Sequence, residues 1–293
     1  MPNVLGTPDD EDESVGAVLA RMRRSKRITG AKLAAIVGMS QPKISRIERG
    51  KGLPDPEDVG VLARALGADE SDAQALMARA ERLSDRMTDW RPTSVGLADR
   101  QKTLADWESA AKVVRAFEPA LVLGLLQTDG YARLVLQAFQ RLTPAAADSP
   151  TEASLLAAVS ARVSRRQVLA DQSKSFNIIL SEAVLKRRTY PPLEMLNQIH
   201  RIREIAAEHD NVRIVMLPDD APVGVPLMHG FSLYDDTLVV VDLFNTGLIS
   251  RSRRDVESYR QVFDILDEQT VDIGPILDRY ESSYIEMLQK PGK

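Results

Sequence analysis

The sequence predicts two folds in series: an N-terminal all-α domain of five helices built around a helix-turn-helix, then a C-terminal α+β domain with a small mixed sheet and several helices. Three observations carry this. Apolar residues recur at helical spacing up to about residue 86, with Gly, Ser and Thr as punctuation. Beyond residue 175 the pattern shifts to short β-branched or aromatic runs bounded by turn residues. The length, 293 residues, suits two domains at roughly 100 to 200 residues each.

The elements follow in order. Residues 1–14 are acidic, rich in Pro and Gly and without apolar periodicity, so they are expected to be a disordered tail. Val15, Val18, Leu19 and Met22 line the first helix. Thr29 caps the second, Ala31 to Val37, and Gly38 supplies a turn. Ser40 caps the third, which runs to Arg49, with Gly50 closing it. The fourth follows Pro56, buries Val59, Leu62, Ala63 and Leu66, and stops at Gly67. A fifth, Ser71 to Arg86, leads to a linker around Trp90, Arg91 and Pro92. The expected domains are therefore 15–70 for DNA binding, 71–96 for a connecting helix and linker, and 97–293 for the C-terminal part.

Leu97 to Phe117 reads as one long helix, with Leu104, Trp107, Ala111, Val114 and Arg115 close to one stripe and Pro119 ending it. An apolar turn, Leu121 to Leu126, precedes helices at Thr128–Phe139 and Thr151–Leu169, separated by a loop with Pro144 and Pro150. Strands are predicted at Phe176–Leu180, Val212–Leu217, Gly230–Tyr234 and Leu238–Leu243. A helix, Leu193 to His209, makes the first two a β-α-β crossover, and Asp235-Asp236 a tight hairpin turn between the last two. Helices at Asp255–Leu266 and Asp278–Leu288 finish the chain.

Composition excludes several functions. Cysteine is absent, so there are no disulfides, thiol nucleophiles or thiolate metal sites, and with three histidines no metal or cofactor is expected. The longest apolar run, Pro119 to Leu126, is far short of the roughly 20 residues a bilayer span needs, and the acidic start is the reverse of a signal peptide. A cytoplasmic protein is expected. The net charge of -4 hides an asymmetry. Asp9 to Glu13 are all acidic, whereas Val15 to Gly67 holds eleven Lys and Arg against four Asp and Glu. A compact basic block in an acidic chain suits a polyanion, whose condensed counterions are released on binding; a solvated basic face is the plainer alternative.

The segment Thr29 to Lys51, TGAKLAAIVGMSQPKISRIERGK, has the physics of a helix-turn-helix. Leu33, Val37, Met39, Ile44 and Ile47 face inward and Ala34 is small where the helices cross, while Gln41, Lys43, Ser45 and Arg46 stay outward on a helix that fits the major groove. The segment resembles the Xre and Cro/C1-type repressors, of lambda-repressor-like fold, whose recognition helix reads S-Q-x-x-I-S-R-I-E-x-G. Ser40, Gln41, Ile44, Ser45, Arg46, Ile47, Glu48 and Gly50 stand in those places. The resemblance implies base contacts by Gln41 and Arg46, with Ser45 beside them, and phosphate contacts by Thr29, Lys43, Arg49 and Lys51. Gln suits adenine and Arg suits guanine. Two departures narrow this code. Gly30 stands where phage-type members commonly place a phosphate-bonding Gln, and Pro42 replaces a potential reader. Glu48 is expected to pair within the domain.

After the linker, Trp107-Glu108, AFEPALVLGLLQTDGYARLV, VSARVSRRQVLA, FNIILSEAVLKRR and VRIVMLP resemble the domain of unknown function DUF5753 that follows the helix-turn-helix in many actinobacterial regulators, the Scr1-type toxin-antitoxin-like antitoxin regulators. The resemblance implies a C-terminal half that receives a signal, often from a small neighbour-encoded protein. Its polar candidates are Glu108, Gln127, Tyr131, Arg162, Arg165, Arg166 and Glu182. Arg162, Arg165 and Arg166 lie at i, i+3 and i+4, so one helix face could hold an anion or a partner carboxylate; the alternative is internal ion pairing with Glu108 or Glu182. His200, His209 and His229 match no zinc or hydrolase spacing, and no phosphate loop or nucleophile elbow appears, so no enzyme is expected. The expectation is a regulator, a homodimeric repressor on double-stranded DNA with a pseudopalindromic operator, whose C-terminal domain receives a small protein partner or ligand. A small-molecule effector without a partner, and an enzyme tethered to DNA, are the alternatives.

Overall fold

The computed structural model describes residues 13–50, 54–84, 88–89, 97–142, 151–244 and 247–289. The expected acidic tail up to residue 12, Lys51, the linker at Trp90 to Pro92 and the loop prolines Pro144 and Pro150 lie outside these. Contacts divide the chain into two compact units, Met1–Met87 and Thr88–Lys293.

The first unit is five helices, α1 (Val15–Ser25), α2 (Gly30–Val37), α3 (Gln41–Glu48), α4 (Pro56–Ala65) and α5 (Glu70–Ser84). Their starts are set by local chemistry. Ser14, Thr29, Ser40 and Asp55 each accept a backbone N–H of the first turn with their side chains, and Gly38, Gly50 and Gly67 adopt positive φ where helices end. Val15, Val18, Leu19, Leu33, Ile44, Val59, Leu62 and Leu66 form one core, with Val37 and Met39 packed at its margin. Helix α5, expected as a connecting piece, puts Ala73, Leu76 and Ala80 into that core.

The second unit is a sheet with helices on both faces. Its helices are α6 (Leu97–Ala110), α7 (Asp129–Leu142), α8 (Glu152–Arg165), α9 (Ala183–Lys186), α10 (Pro192–Glu208), α11 (Arg253–Asp267) and α12 (Gly274–Gln289). The strands are β1 (Thr88–Asp89), β2 (Val113–Glu118), β3 (Ser175–Ser181), β4 (Val212–Leu217), β5 (Phe231–Tyr234), β6 (Leu238–Asp242), β7 (Gly247–Ser250) and β8 (Val271–Asp272). They form one eight-stranded mixed sheet in the order β1-β7-β6-β5-β2-β3-β4-β8, with β2, β3 and β4 parallel and the other pairings antiparallel. The β3-α10-β4 crossover and the Asp235-Asp236 hairpin stand as read. Both turn residues have φ near +50°, the geometry of a two-residue type I′ turn. Asp235 Oδ1 accepts the N–H groups of Lys112 (2.8 Å) and Val113 (2.7 Å), fixing the turn to the start of β2.

One expectation is corrected. Residues 97–117 are not one helix: α6 ends at Ala110 and β2 begins at Val113. Leu104, Trp107, Ala111 and Val114 happen to fall at helical intervals, but Val113-Val114 is a β-branched pair. The segment pairs in parallel with β3 and antiparallel with β5, so tertiary pairing overrides the local period. Alternation then sets two faces. Val114 and Ala116 join the main core with Leu104, Val122 and Leu125. Phe117 packs the other way on Phe231, centroids 6.0 Å apart, and Phe231 meets Tyr259 of α11 at 5.0 Å.

Candidate functional site

In the helical unit the reader helix α3 is seated from both ends. Ser40 Oγ accepts the Lys43 N–H, and Pro42 falls in the first turn, where its missing donor costs nothing. Ile44 and Ile47 anchor the inner face. Glu48 pairs within the unit, as expected: Arg23 donates Nε to Oε1 at 2.6 Å and Nη2 to Oε2 at 2.8 Å, while its Nη1 reaches the Ile28 carbonyl. That fork ties α1 to the C-terminal end of α3.

The outward side chains divide into two groups. Lys43 Nζ pairs with Asp58 Oδ2 of α4 at 2.6 Å. Arg49 folds back on Ser45, donating Nε to its Oγ at 3.0 Å and to its carbonyl at 3.2 Å. Thr29 Oγ1 accepts the Lys32 N–H at 3.1 Å, which leaves its own hydroxyl proton free to donate. Gln41 and Arg46 are exposed and make no hydrogen bond or ion pair among the described residues. A Cβ on Gly30 would stand 3.7 Å from Gln41 Nε2, so the residue that departs from the phage-type pattern borders the reader glutamine. Arg24, Lys26, Arg27 and Lys32 are also exposed and add to the positive surface of the unit.

The C-terminal candidates gather in part. Glu108 on α6 and Arg165 on α8 form a buried fork, with side chains 3% and 6% exposed: Arg165 Nε donates to Oε2 at 2.9 Å and Nη2 to Oε1. Arg165 Nη1 and Arg162 Nε share the Gln101 side-chain oxygen at 2.5 and 3.2 Å. Arg162 Nη1 donates to Gln127 Oε1 at 3.0 Å, and Gln127 passes its own N–H to the Val122 carbonyl at 2.7 Å. Tyr131 accepts the Val122 N–H, and burial holds its phenol above the usual range. Arg166 stands apart, on Asp129 at 2.9 Å. Glu182 belongs to another cluster, accepting from Arg279 Nη2 (2.6 Å), the Tyr280 hydroxyl (2.7 Å) and the Asp219 N–H. Internal pairing thus takes Arg165 and Arg166, while the hydrogen bonds of Arg162 among the described residues go to the neutral amides of Gln101 and Gln127.

Beside the Glu108–Arg165 pair, a cleft of about 610 Å³ is lined by Gln101, Lys102, Glu108, Ser164, Arg165 and Lys174. The sequence reading missed Gln101 and Gln198. Gln101 lies on the Leu104–Glu108 face of α6, a legible position for a buried polar group. Gln198, fully buried on α10, donates to the Leu126 carbonyl at 2.7 Å and accepts the Thr128 N–H at 2.9 Å. It holds the turn that carries Gln127.

No described helix is long and apolar enough to cross a membrane. No curated protein matches the chain. The archaeal chromatin protein TrmBL2, whose structure is described as showing a novel mode of DNA binding, aligns with 84% of this chain and 88% of its own at 13% identity, with a TM-score of 0.31, below that of a shared fold. A helix-turn-helix domain model matches residues 14–76. The model for the domain of unknown function DUF5753 matches residues 101–274, more than half of the sequence, and the chain belongs to that family, carrying its domain behind a helix-turn-helix.

Proposed function

We propose that the chain is a sequence-specific DNA-binding transcriptional regulator, a dimeric repressor whose two reader helices enter successive major grooves of a pseudopalindromic operator about 34 Å apart. One observation carries the reading. Of the expected base readers on α3, Gln41 and Arg46 are uncommitted among the described residues, while the third, Ser45, is held by Arg49 just beyond the helix, and Lys43 is paired with Asp58. A reader side chain must reach a base edge without first giving up a buried bond. The Lys43–Asp58 pair is no obstacle, because an ion pair half open to water is worth about 0 to 1 kcal/mol and Lys43 can turn to a phosphate.

Arg46→Ala is expected to weaken operator binding by about 1 to 3 kcal/mol and to relax the preference at one base pair. Lys43→Ala is expected to weaken binding equally on all sequences and to reduce the salt slope by about 0.9. Titrations of labelled operator and scrambled DNA at several salt concentrations measure both; wild-type affinity, specificity and slope in both variants would remove α3 from the groove.

The C-terminal unit is the receiving part and does no chemistry. Glu108 and Glu182, the two carboxylates that the sequence offers as an acid–base pair, are each held by an arginine in separate clusters. The antitoxin-like reading gives this unit a small neighbour-encoded protein as its signal. The cleft favours a second reading, a small-molecule effector, since its volume lies within the roughly 300 to 1,000 Å³ of ligand pockets. Co-purification of a small protein with the chain separates the two.

A further inference from the structure

The cleft beside the Glu108–Arg165 pair owes its opening to short side chains. Ala105 and Ser109 stand one turn apart on α6, Ala161 and Ser164 one turn apart on α8, and all four line it. Larger side chains at these positions would fill the groove between two packed helices; here about 610 Å³ stays open. Val168, just beyond α8, adds an apolar wall.

The polar lining is unequal in charge. Lys102, Arg165 and Lys174 are set against Glu108 and Asp171, which leaves one positive charge over. Both carboxylates are occupied. Glu108 is forked by Arg165, and Asp171 Oδ1 accepts the Ser173 hydroxyl at 2.7 Å and its N–H at 3.0 Å, bonds that hold the carboxyl below the usual range. The cations are less fully used. Arg165 spends three N–H donors on Glu108 and Gln101, short of a guanidinium's full set. Lys174 Nζ donates to the Ser109 and Ala111 carbonyls, each at 2.6 Å. An ammonium has one proton more, and Lys174 forms no ion pair among the described residues. Lys102 pairs with Asp99 at 2.9 Å, but the two side chains are 72% and 57% exposed, and an ion pair in water holds a side chain weakly. The Ser109 hydroxyl and the Gln167 side chain, both in the lining, make no hydrogen bond among the described residues.

We propose that the cleft binds a small monocarboxylate with a compact apolar body, its carboxylate on Lys174 and the Ser109 hydroxyl, with Lys102 adding charge at the rim, and its body against Ala105, Ala161 and Val168. A cation would meet the surplus positive charge, and a phosphate monoester, at about -1.5 to -2, would exceed it. The inference rests on the reading of this cleft as an effector site and names the class of effector.

The test needs no DNA, so its failure is separate from that of the DNA-binding reading. Thermal unfolding of the full chain is followed at about pH 7 with three probes of one shape, 3-phenylpropionate, 2-phenylethanol and 2-phenylethylammonium. Only the carboxylate is expected to raise the unfolding temperature of the C-terminal unit, because a ligand stabilises the state that binds it. Lys174→Met is expected to raise the concentration that gives half the shift on the order of tenfold, as loss of a charged hydrogen bond does, and Lys102→Met to raise it less. Ala161→Leu fills the groove without touching a charge and is expected to abolish the shift. Lys174 also fastens the end of α6, so if its variant does not fold, Lys102→Met and Ala161→Leu decide. Stabilisation by the alcohol or the ammonium as strong as that by the carboxylate, yet lost in Ala161→Leu, would keep the effector site and overturn the carboxylate. Stabilisation by none of the three, or by the carboxylate undiminished in Lys102→Met and Ala161→Leu, overturns both.

Discussion

Glu108→Ala is expected to destabilise the C-terminal unit by about 3 to 5 kcal/mol, the largest effect of any single substitution considered. Both partners of the pair are almost inaccessible to water. Removing the carboxylate leaves the Arg165 charge buried with one amide oxygen, from Gln101, as its remaining bond, and the helix faces that it joins, α6 and α8, lose their polar link. At about 2 to 4 °C per kcal/mol for a unit of this size, the unfolding transition should fall by about 6 to 20 °C. The pair need not be a net stabiliser against an apolar alternative, because desolvating two charges consumes most of their attraction. The double variant Glu108→Leu, Arg165→Met should therefore be distinctly more stable than Glu108→Ala alone. Calorimetry on the three proteins decides it; a Glu108→Ala chain melting at the wild-type temperature would show that the pair is not buried as described.

Gly16→Ala is expected to unfold the helical unit selectively. In the interior of an exposed helix this change adds about 0.5 to 1 kcal/mol of stability. Here the added Cβ would lie 2.1 Å from the Ile47 carbonyl oxygen and 3.1 Å from the Glu48 carbonyl carbon. These are backbone atoms near the end of α3, so no rotamer change relieves the contact. Overpacking of this kind costs about 1 to 3 kcal/mol and sometimes more, which outweighs the helix preference and is a large part of the stability of so small a unit. Forcing α1 outward also strains the Arg23–Glu48 fork that holds α3. The expected result is a lowered first transition, an unchanged transition for the C-terminal unit and loss of DNA binding at temperatures where the wild type binds. A melt that matches the wild type in both transitions would contradict the close approach of α1 and α3.

What could be read from the sequence follows from where the determinants lie. The helix-turn-helix was legible because its signals are local: Thr29 and Ser40 cap the next turn, Gly38 sits where only a left-handed residue serves, and Ile44 and Ile47 repeat at helical spacing. The hairpin at Asp235-Asp236 was legible for the same reason. The strand β2 was not, because its pairing partners lie about 60 and 115 residues downstream, at Phe176 and Phe231, and its apolar residues also fit a helical stripe. The short strands β1, β7 and β8 carry too few residues for a pattern. The polar centre was legible by type and not by partner. Glu108 and the arginines at 162, 165 and 166 stood out, and internal pairing with Glu108 was one of the two readings, but that Gln101 receives two arginines depends on how α6 lies against α8.

The most direct test of the central claim is selection of bound fragments from a randomised DNA pool, comparing the wild type with the Gln41→Ala, Arg46→Ala double variant. The wild type should enrich a motif with two inverted half-sites about one helical turn apart, and the double variant should lose it while keeping weak, salt-sensitive binding. Enrichment of the same motif by both proteins, or of none by the wild type, would contradict the account of α3 as the reader of DNA sequence.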